Sequence, residues 1–159
     1  MVRPLEERDV EAVLALNELE VEKLAPMDEA KLREIHELAD RFDVVELDGE
    51  FVGFVITIRP GSGYWSDNYQ WYADRYGEDF YYLDRVVMHE KARGHGLGSQ
   101  VYDALEERAA AYGRLALEVN IEPPNEPSLA FHRSRGYEPV GEVTDSVGHR
   151  RVMMVKELG

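Results

Sequence analysis

The sequence predicts an α+β (α/β) domain with a mixed central sheet, and three observations carry that reading. Two amphipathic helical patterns are followed by a hairpin signal near residues 42–58. A strand, a glycine-rich turn, a helix and a second strand then fill residues 80–120, a βαβ unit whose strands must run parallel. The last stretch returns to a pair of strands that read as antiparallel. With 159 residues, 44% of them hydrophobic and 31% charged, the chain is sized for a single domain over 1–159. It contains no internal repeat, low-complexity tract or linker that would divide it.

Each element has a local reason. A short strand is expected at residues 2–5, after which Asp9 is placed to cap a helix with Val10, Val13, Leu14, Leu16 and Val21 at helical spacing, ended by Pro26. Asp28 precedes a second helix over 29–41, with Leu32, Ile35, Leu38 and Ala39 on one face. Asp48-Gly49 lies between β-branched and aromatic runs, the strongest short hairpin signal a sequence offers. Strand 80–89, helix 98–112 and strand 114–120 follow, then a helix over 128–135 stopped by Gly136, and strands at 137–143 and 150–158.

Composition narrows the partners. The 18 basic residues face 32 acidic ones, so the summed field repels nucleic acid and acidic membrane surfaces, and neither is expected as a partner. Only four of the basic residues are lysine, a composition that would suit a salt-rich cytosol. The chain has no cysteine, and its N-terminus is charged rather than apolar, so a cytoplasmic protein is expected. No run approaches the roughly 18 apolar residues of a membrane span. Five histidines, at 36, 89, 95, 132 and 149, form no HExxH-like spacing, and no metal is expected.

The chemistry concentrates in KARGHGLGSQ. Gly94, Gly96 and Gly98 let the backbone curl and present bare N–H groups at a helix start, which together form a cradle for phosphate. One reading makes Gly94, Gly96 and Ser99 a dinucleotide fingerprint, with Glu118 as the ribose-binding acid. Against it, only 41 residues follow Glu118, and they do not continue a doubly wound sheet.

The other reading is a resemblance. Arg93-Gly94-His95-Gly96-Leu97-Gly98, preceded by YYLDRVVM and followed by GSQVYDALEERAAAYG, LALEVN and NEPSLAFHRSRGY, resembles the GNAT superfamily of acyl-CoA N-acyltransferases over residues 80–158. The resemblance implies the GNAT fold: about seven strands, splayed between the fourth and fifth, flanked by about four helices. It implies acetyl-CoA as co-substrate, with the pantetheine on Val86, Val87 and Met88. The pyrophosphate would lie on the backbone of Arg93, Gly94, His95, Gly96, Leu97, Gly98 and Ser99. Asn125 matches the family's asparagine by its spacing to Gly136, with Asn120 as a rival. The implied activity is direct acetyl transfer to a primary amine of a small molecule or peptide; the alternative is an acyl-CoA sensor without catalysis. The sequence leaves room for a homodimer.

Attack needs a deprotonated amine, so a carboxylate base is expected. Strand alternation puts Tyr82, Asp84, Val86 and Met88 on one face, making Asp84 the leading base and Tyr82 a substrate contact, with Arg85 on the opposite face. The competing role for Asp84 is an ion pair with a neighbouring Arg. Where many members of the family have a Tyr to protonate the leaving thiolate, this chain has His132.

Residues 63–82, GYWSDNYQWYADRYGEDFYY, hold nine of the sixteen aromatic side chains. Asp67 and Gly77 would bound a short helix whose Tyr69, Tyr72 and Tyr76 pack inward. Tyr64, Trp65 and Trp71 are left as the acceptor wall, where an aromatic face can hold an ammonium group by cation–π attraction.

Overall fold

The computed structural model describes residues 1–20, 25–122 and 124–159. Among them, seven strands form one sheet in the order β1-β2-β3-β4-β5-β7-β6: β1 Val2–Pro4, β2 Arg41–Leu47, β3 Glu50–Ile58, β4 Tyr81–Met88, β5 Arg114–Glu122, β6 Glu138–Thr144 and β7 Arg150–Glu157. Only β4 and β5 pair in parallel. Among the described residues five α-helices cover the sheet, one more than the expected four: α1 Val10–Leu19, α2 Glu29–Leu38, α3 Asp67–Tyr76, α4 Leu97–Ala109 and α5 Glu126–Ser134. The additional one is α3, inside the connection from β3 to β4. Val21, assigned from its spacing to the first helix, lies outside the described residues.

The sheet separates two apolar layers. On one face α1, α2 and α3 contribute Val13, Leu32, Ile35, Tyr69 and Tyr72 over Phe54, Ile56, Tyr82 and Ala116. On the other, α4 and α5 contribute Val101, Tyr102, Leu105 and Leu129 over Tyr81, Leu83, Leu117 and Met154. Tyr69, Tyr72 and Tyr82 are at most 2% exposed, so truncating any one of them is expected to cost several kcal/mol, on the order of 3–5.

Local signals explain most element ends. Asp48 and Gly49 both take positive φ, 53° and 80°, forming the primed two-residue turn that suits a twisted hairpin. Asp28 Oδ1 accepts from the Lys31 N–H at 2.8 Å and caps α2. Gly77, at φ 67°, ends α3. Two caps differ from expectation. The Asp9 carboxylate accepts from the Glu6 N–H and the Arg3 guanidinium in a 3-10 turn ahead of α1, so it does not cap that helix. Ser66, not Asp67, supplies the cap of α3.

Two irregularities in β4 position the site. Its pairing with β5 is confined to Tyr81 opposite Leu115 and Tyr82 opposite Ala116, after which the strands part. Its register with β3 slips by one residue, Ile56 facing Arg85 but Thr57 facing Leu83, so Asp84 is the extra residue of a β-bulge. The slip reverses alternation. Ahead of the bulge, Tyr82 faces the α1–α3 layer while Tyr81 and Leu83 face α4; beyond it, Val87 takes the first face and Val86 and Met88 the second.

Candidate active site

The divergence of β4 and β5 opens a cleft of about 550 Å³, lined on one wall by Leu83 to Met88 and on the other by Leu117 to Asn120. Beyond Leu83 the edge of β4 has no strand partner on the β5 side, so its backbone groups are available to an extended ligand. At the end of β4 a turn carries Gly94 and Gly96 at φ 79° and 71°, a region that side-chain-bearing residues rarely adopt, and Gly96 caps the 13-residue helix α4. A groove with an open strand edge that leads to N–H groups at a helix start suits a pantetheine arm followed by a pyrophosphate. Val86, Val87, Met88 and Arg93 line the cleft itself; Gly94, His95, Gly96, Leu97, Gly98 and Ser99 continue from Arg93 as the turn and the first turn of α4. Asn120 and Asn125 both line the cleft; Asn125 caps α5, and its backbone N–H donates to Asn120 O at 3.0 Å.

The other face of the cleft holds two carboxylates in different settings. Asp84 accepts from the Tyr64 hydroxyl at 2.8 Å and from Arg85 Nε at 2.9 Å, and this ion pair is buried on both sides. The bulge is the reason Arg85 can do this: it turns the two consecutive side chains to one face, correcting the alternation that set them apart. Arg85 is further held by Asn17 Oδ1 at 2.9 Å and Ala25 O at 3.2 Å.

Glu118, from the middle of β5, is the second carboxylate. It shares a face with Ala116 and accepts from Tyr82 Oη at 2.8 and 2.9 Å and from Asn68 Nδ2 at 3.1 Å. Burial pushes its pKa up to about 7, and the nearby Asp84 charge adds to the rise; the Tyr82 and Asn68 hydrogen bonds and the Arg151 charge pull the other way. Tyr82 is buried beside both carboxylates, which together with desolvation keeps its phenol fully protonated. The sequence had offered Glu118 only as a ribose acid. The available signal was an acid set inside the apolar run LALEVN, on the inward side with Ala116.

His132 lies 5% exposed at the opposite wall. Its Nδ1 is 2.7 Å from the Ser128 carbonyl, which can only accept, so Nδ1 carries the hydrogen and Nε2 accepts from the Tyr102 hydroxyl at 2.7 Å. Desolvation holds the imidazole below its ordinary pKa, and it is neutral at pH 7.

The aromatic connection divides differently from expectation. Tyr64 is fully buried, and Trp65 is 43% exposed on the rim, stacked at a tilt on Tyr64. The Trp65 face that was expected to receive a substrate ammonium already carries Lys31, whose Nζ lies 5.0 Å from the ring centre. Trp71 does not reach the cleft. It packs over Gly141 of β6, where even a methyl group would come within 2.6 Å of the indole. Tyr69 and Tyr72 turn inward as their spacing predicts, with Tyr72 Oη donating to the carbonyls of Leu117 and Met154 across β5 and β7. Among the described residues no group of three or more His, Cys, Asp or Glu side chains is arranged to hold a metal ion. No helix among them is long and apolar enough to cross a membrane.

A mixed sheet parted between two parallel strands, with a glycine turn below the gap, forms a cleft suited to an extended, phosphate-bearing ligand. The sequence comparisons are specific: residues 9–137 match the model of the Acetyltransferase (GNAT) family, and the chain belongs to that family. Among characterised proteins, an L-methionine sulfoximine/L-methionine sulfone acetyltransferase from Pseudomonas aeruginosa is 40% identical over 58 residues, 36% of this chain and 34% of that protein. An L-2,4-diaminobutyric acid acetyltransferase from Nocardia farcinica is 34% identical over 89 residues, 55% of this chain and 38% of that protein. The matched segments thus span little more than a third of those relatives' length. Solved structures agree in fold along the whole chain: Ard1 from Thermoplasma volcanium has a TM-score of 0.77 at 17% identity, covering 100% of this chain and 97% of that one. A Salmonella typhimurium protein solved with its cofactor acetyl-CoA has a TM-score of 0.68 at 18% identity, covering 100% and 94%.

Proposed function

We propose that the protein transfers an acetyl group from acetyl-CoA to the primary amine of a small molecule by direct attack, with Glu118 as the base. The observation that carries the reading is a buried carboxylate, poised near neutral pH, in the gap between β4 and β5. A base works best with a pKa close to the working pH, where it is ionised often enough and still binds the proton well. Asp84 is less suited, because it is held in a buried ion pair by Arg85, whereas Tyr82 and Asn68, which bond to Glu118, are neutral. Its charge instead raises the basicity of Glu118.

Acetyl-CoA supplies an activated acyl carbon and a good leaving group. The chain supplies the rest: Val86 to Met88 offer backbone to the pantetheine, and Gly94 to Ser99 offer N–H groups to the pyrophosphate, beside Arg93, whose own N–H is donated to Glu90 O. Glu118 takes a proton from the substrate ammonium, either directly or through a water, so that the nitrogen lone pair can attack as the carbon–sulfur bond breaks. Tyr102, whose hydroxyl hydrogen rests on Nε2 of neutral His132, turns that hydrogen toward the departing sulfur as the carbon–sulfur bond breaks. His132 therefore acts through Tyr102 and not as the acid that its position in α5 implied.

The test combines two readouts: acetyl-CoA should raise the melting temperature, and a panel of amines should give acceptor-dependent thiol release. Binding without thiol release from any amine would instead favour a sensor on the same fold.

A further inference from the structure

The charges around Glu118 say more about the acceptor, provided the transferase reading holds. In the β5–β7 pairing Met153 lies opposite Glu118 and Arg151 opposite Asn120. Met153 and Val155 face the same apolar layer as Ala116, so Arg151, two residues before Met153, projects on the same side as Glu118 from the adjoining strand. That is a diagonal cross-strand relation, about 7–8 Å between backbone positions. Both side chains line the cleft.

The two opposite charges nevertheless do not pair. Arg151 reaches away to Asp145, Nη2 to Oδ2 3.2 Å, and is about a quarter exposed. Among the described residues Glu118 is bonded to Tyr82 and Asn68. A carboxylate and a guanidinium thus line one cleft from adjoining strands without bonding to each other, the guanidinium held at its rim by Asp145. That arrangement complements a molecule with an ammonium and a carboxylate on the same carbon. The guanidinium fork also matches a carboxylate in a way a lysine would not.

A second cation points the same way. Lys31 covers the Trp65 face at the rim, so the aromatic seat for a lone ammonium is taken by the protein's own positive charge. Arg85 is neutralised by Asp84 in a fully buried pair, and Arg93 lies at the pyrophosphate turn; among the described residues the other cations lining the cleft are Lys31 and Arg151, whose pair with Asp145 is about a quarter exposed and open to exchange for an acceptor anion.

We infer that the acceptor is a free α-amino acid or a close zwitterionic analogue, with its ammonium at Glu118 and its carboxylate at Arg151. The experiment measures thiol release at saturating acetyl-CoA for the free amino acids, the matching α-amides and the matching decarboxylated amines. At least one amino acid should exceed both of its partners in kcat/KM by 30-fold or more. Arg151→Gln should lower kcat/KM for that amino acid 10- to 100-fold, mainly through KM, so that its advantage over the amine collapses, and Arg151→Lys should restore part of it. Amides or simple amines used as well as the amino acid would overturn the inference, as would an Arg151→Gln loss of equal size on all three. Thiol release from amines with none from any amino acid would also overturn it while leaving the transferase reading in place. No thiol release from any amine would remove both.

Discussion

Glu118→Gln should leave the protein more stable and nearly inactive. The native fold keeps this carboxyl group protonated to about pH 7 where an ordinary glutamate has a pKa of 4.5, so holding it ionised costs the folded state roughly 3 kcal/mol above pH 7. The sign follows from proton binding. The folded protein holds the proton more tightly than the unfolded chain, so this contribution to stability is present in full below about pH 4.5 and is lost as pH rises through about 7. Glutamine removes the charge and keeps an oxygen for Tyr82 and Asn68. Urea unfolding at pH 5 and pH 8 should show a gain for the variant of up to about 3 kcal/mol at pH 8 and clearly less at pH 5. For a chain of this size that gain is on the order of 5–10 °C in melting temperature. In the same preparation kcat should fall by about 10²- to 10⁴-fold, the range for loss of a general base. Equal stability of the two proteins at pH 8, or turnover within a few-fold of wild type, would refute the reasoning.

Three further perturbations test other parts of the account. Trp71→Ala should lower stability by about 3 kcal/mol in chemical denaturation with little change in acetyl-CoA KM, since the indole packs on Gly141 away from the cleft; Gly141→Ala should also destabilise, by displacing that ring. Gly53→Ala should cost on the order of 1–3 kcal/mol and raise the KM for acetyl-CoA, because the new methyl group would lie 2.5 Å from Val87 O and push on the wall formed by β4. Tyr102→Phe should lower kcat about tenfold at unchanged acetyl-CoA affinity, less than Glu118→Gln because a thiolate also leaves unaided; retention of full kcat would remove Tyr102 from the reaction.

What could be read in advance was local. The glycine turn, the Asp48-Gly49 hairpin and the inward stripe of Tyr69 and Tyr72 depend on residues close together in the chain, and each lies where its spacing placed it. The errors arose from pairing between distant segments. Nothing within YYLDRVVM announces a bulge, because the extra residue is defined only against Ile56 and Thr57 of β3; without the bulge, Asp84 and Arg85 read as facing apart. Trp71 was assigned to the acceptor side because the sequence cannot show that Gly141, seventy residues later, leaves an indole-sized space. Glu118 was legible as an acid within an apolar strand, but its basicity comes from burial and from the Asp84 charge, against the pull of Tyr82, Asn68 and Arg151, and only the fold assembles these around it. The acceptor side of the cleft draws on α2, α3, β4, β5 and β7, so its charge pattern appears only once the sheet is formed.

The most direct measurement is the pH dependence of kcat/KM for the best acceptor, wild type against Glu118→Gln. A rising limb with an apparent pKa near 7 in the wild-type enzyme, absent from the residual activity of the variant, is the predicted result. A limb that persists unchanged in Glu118→Gln would assign the base to another group and contradict the account.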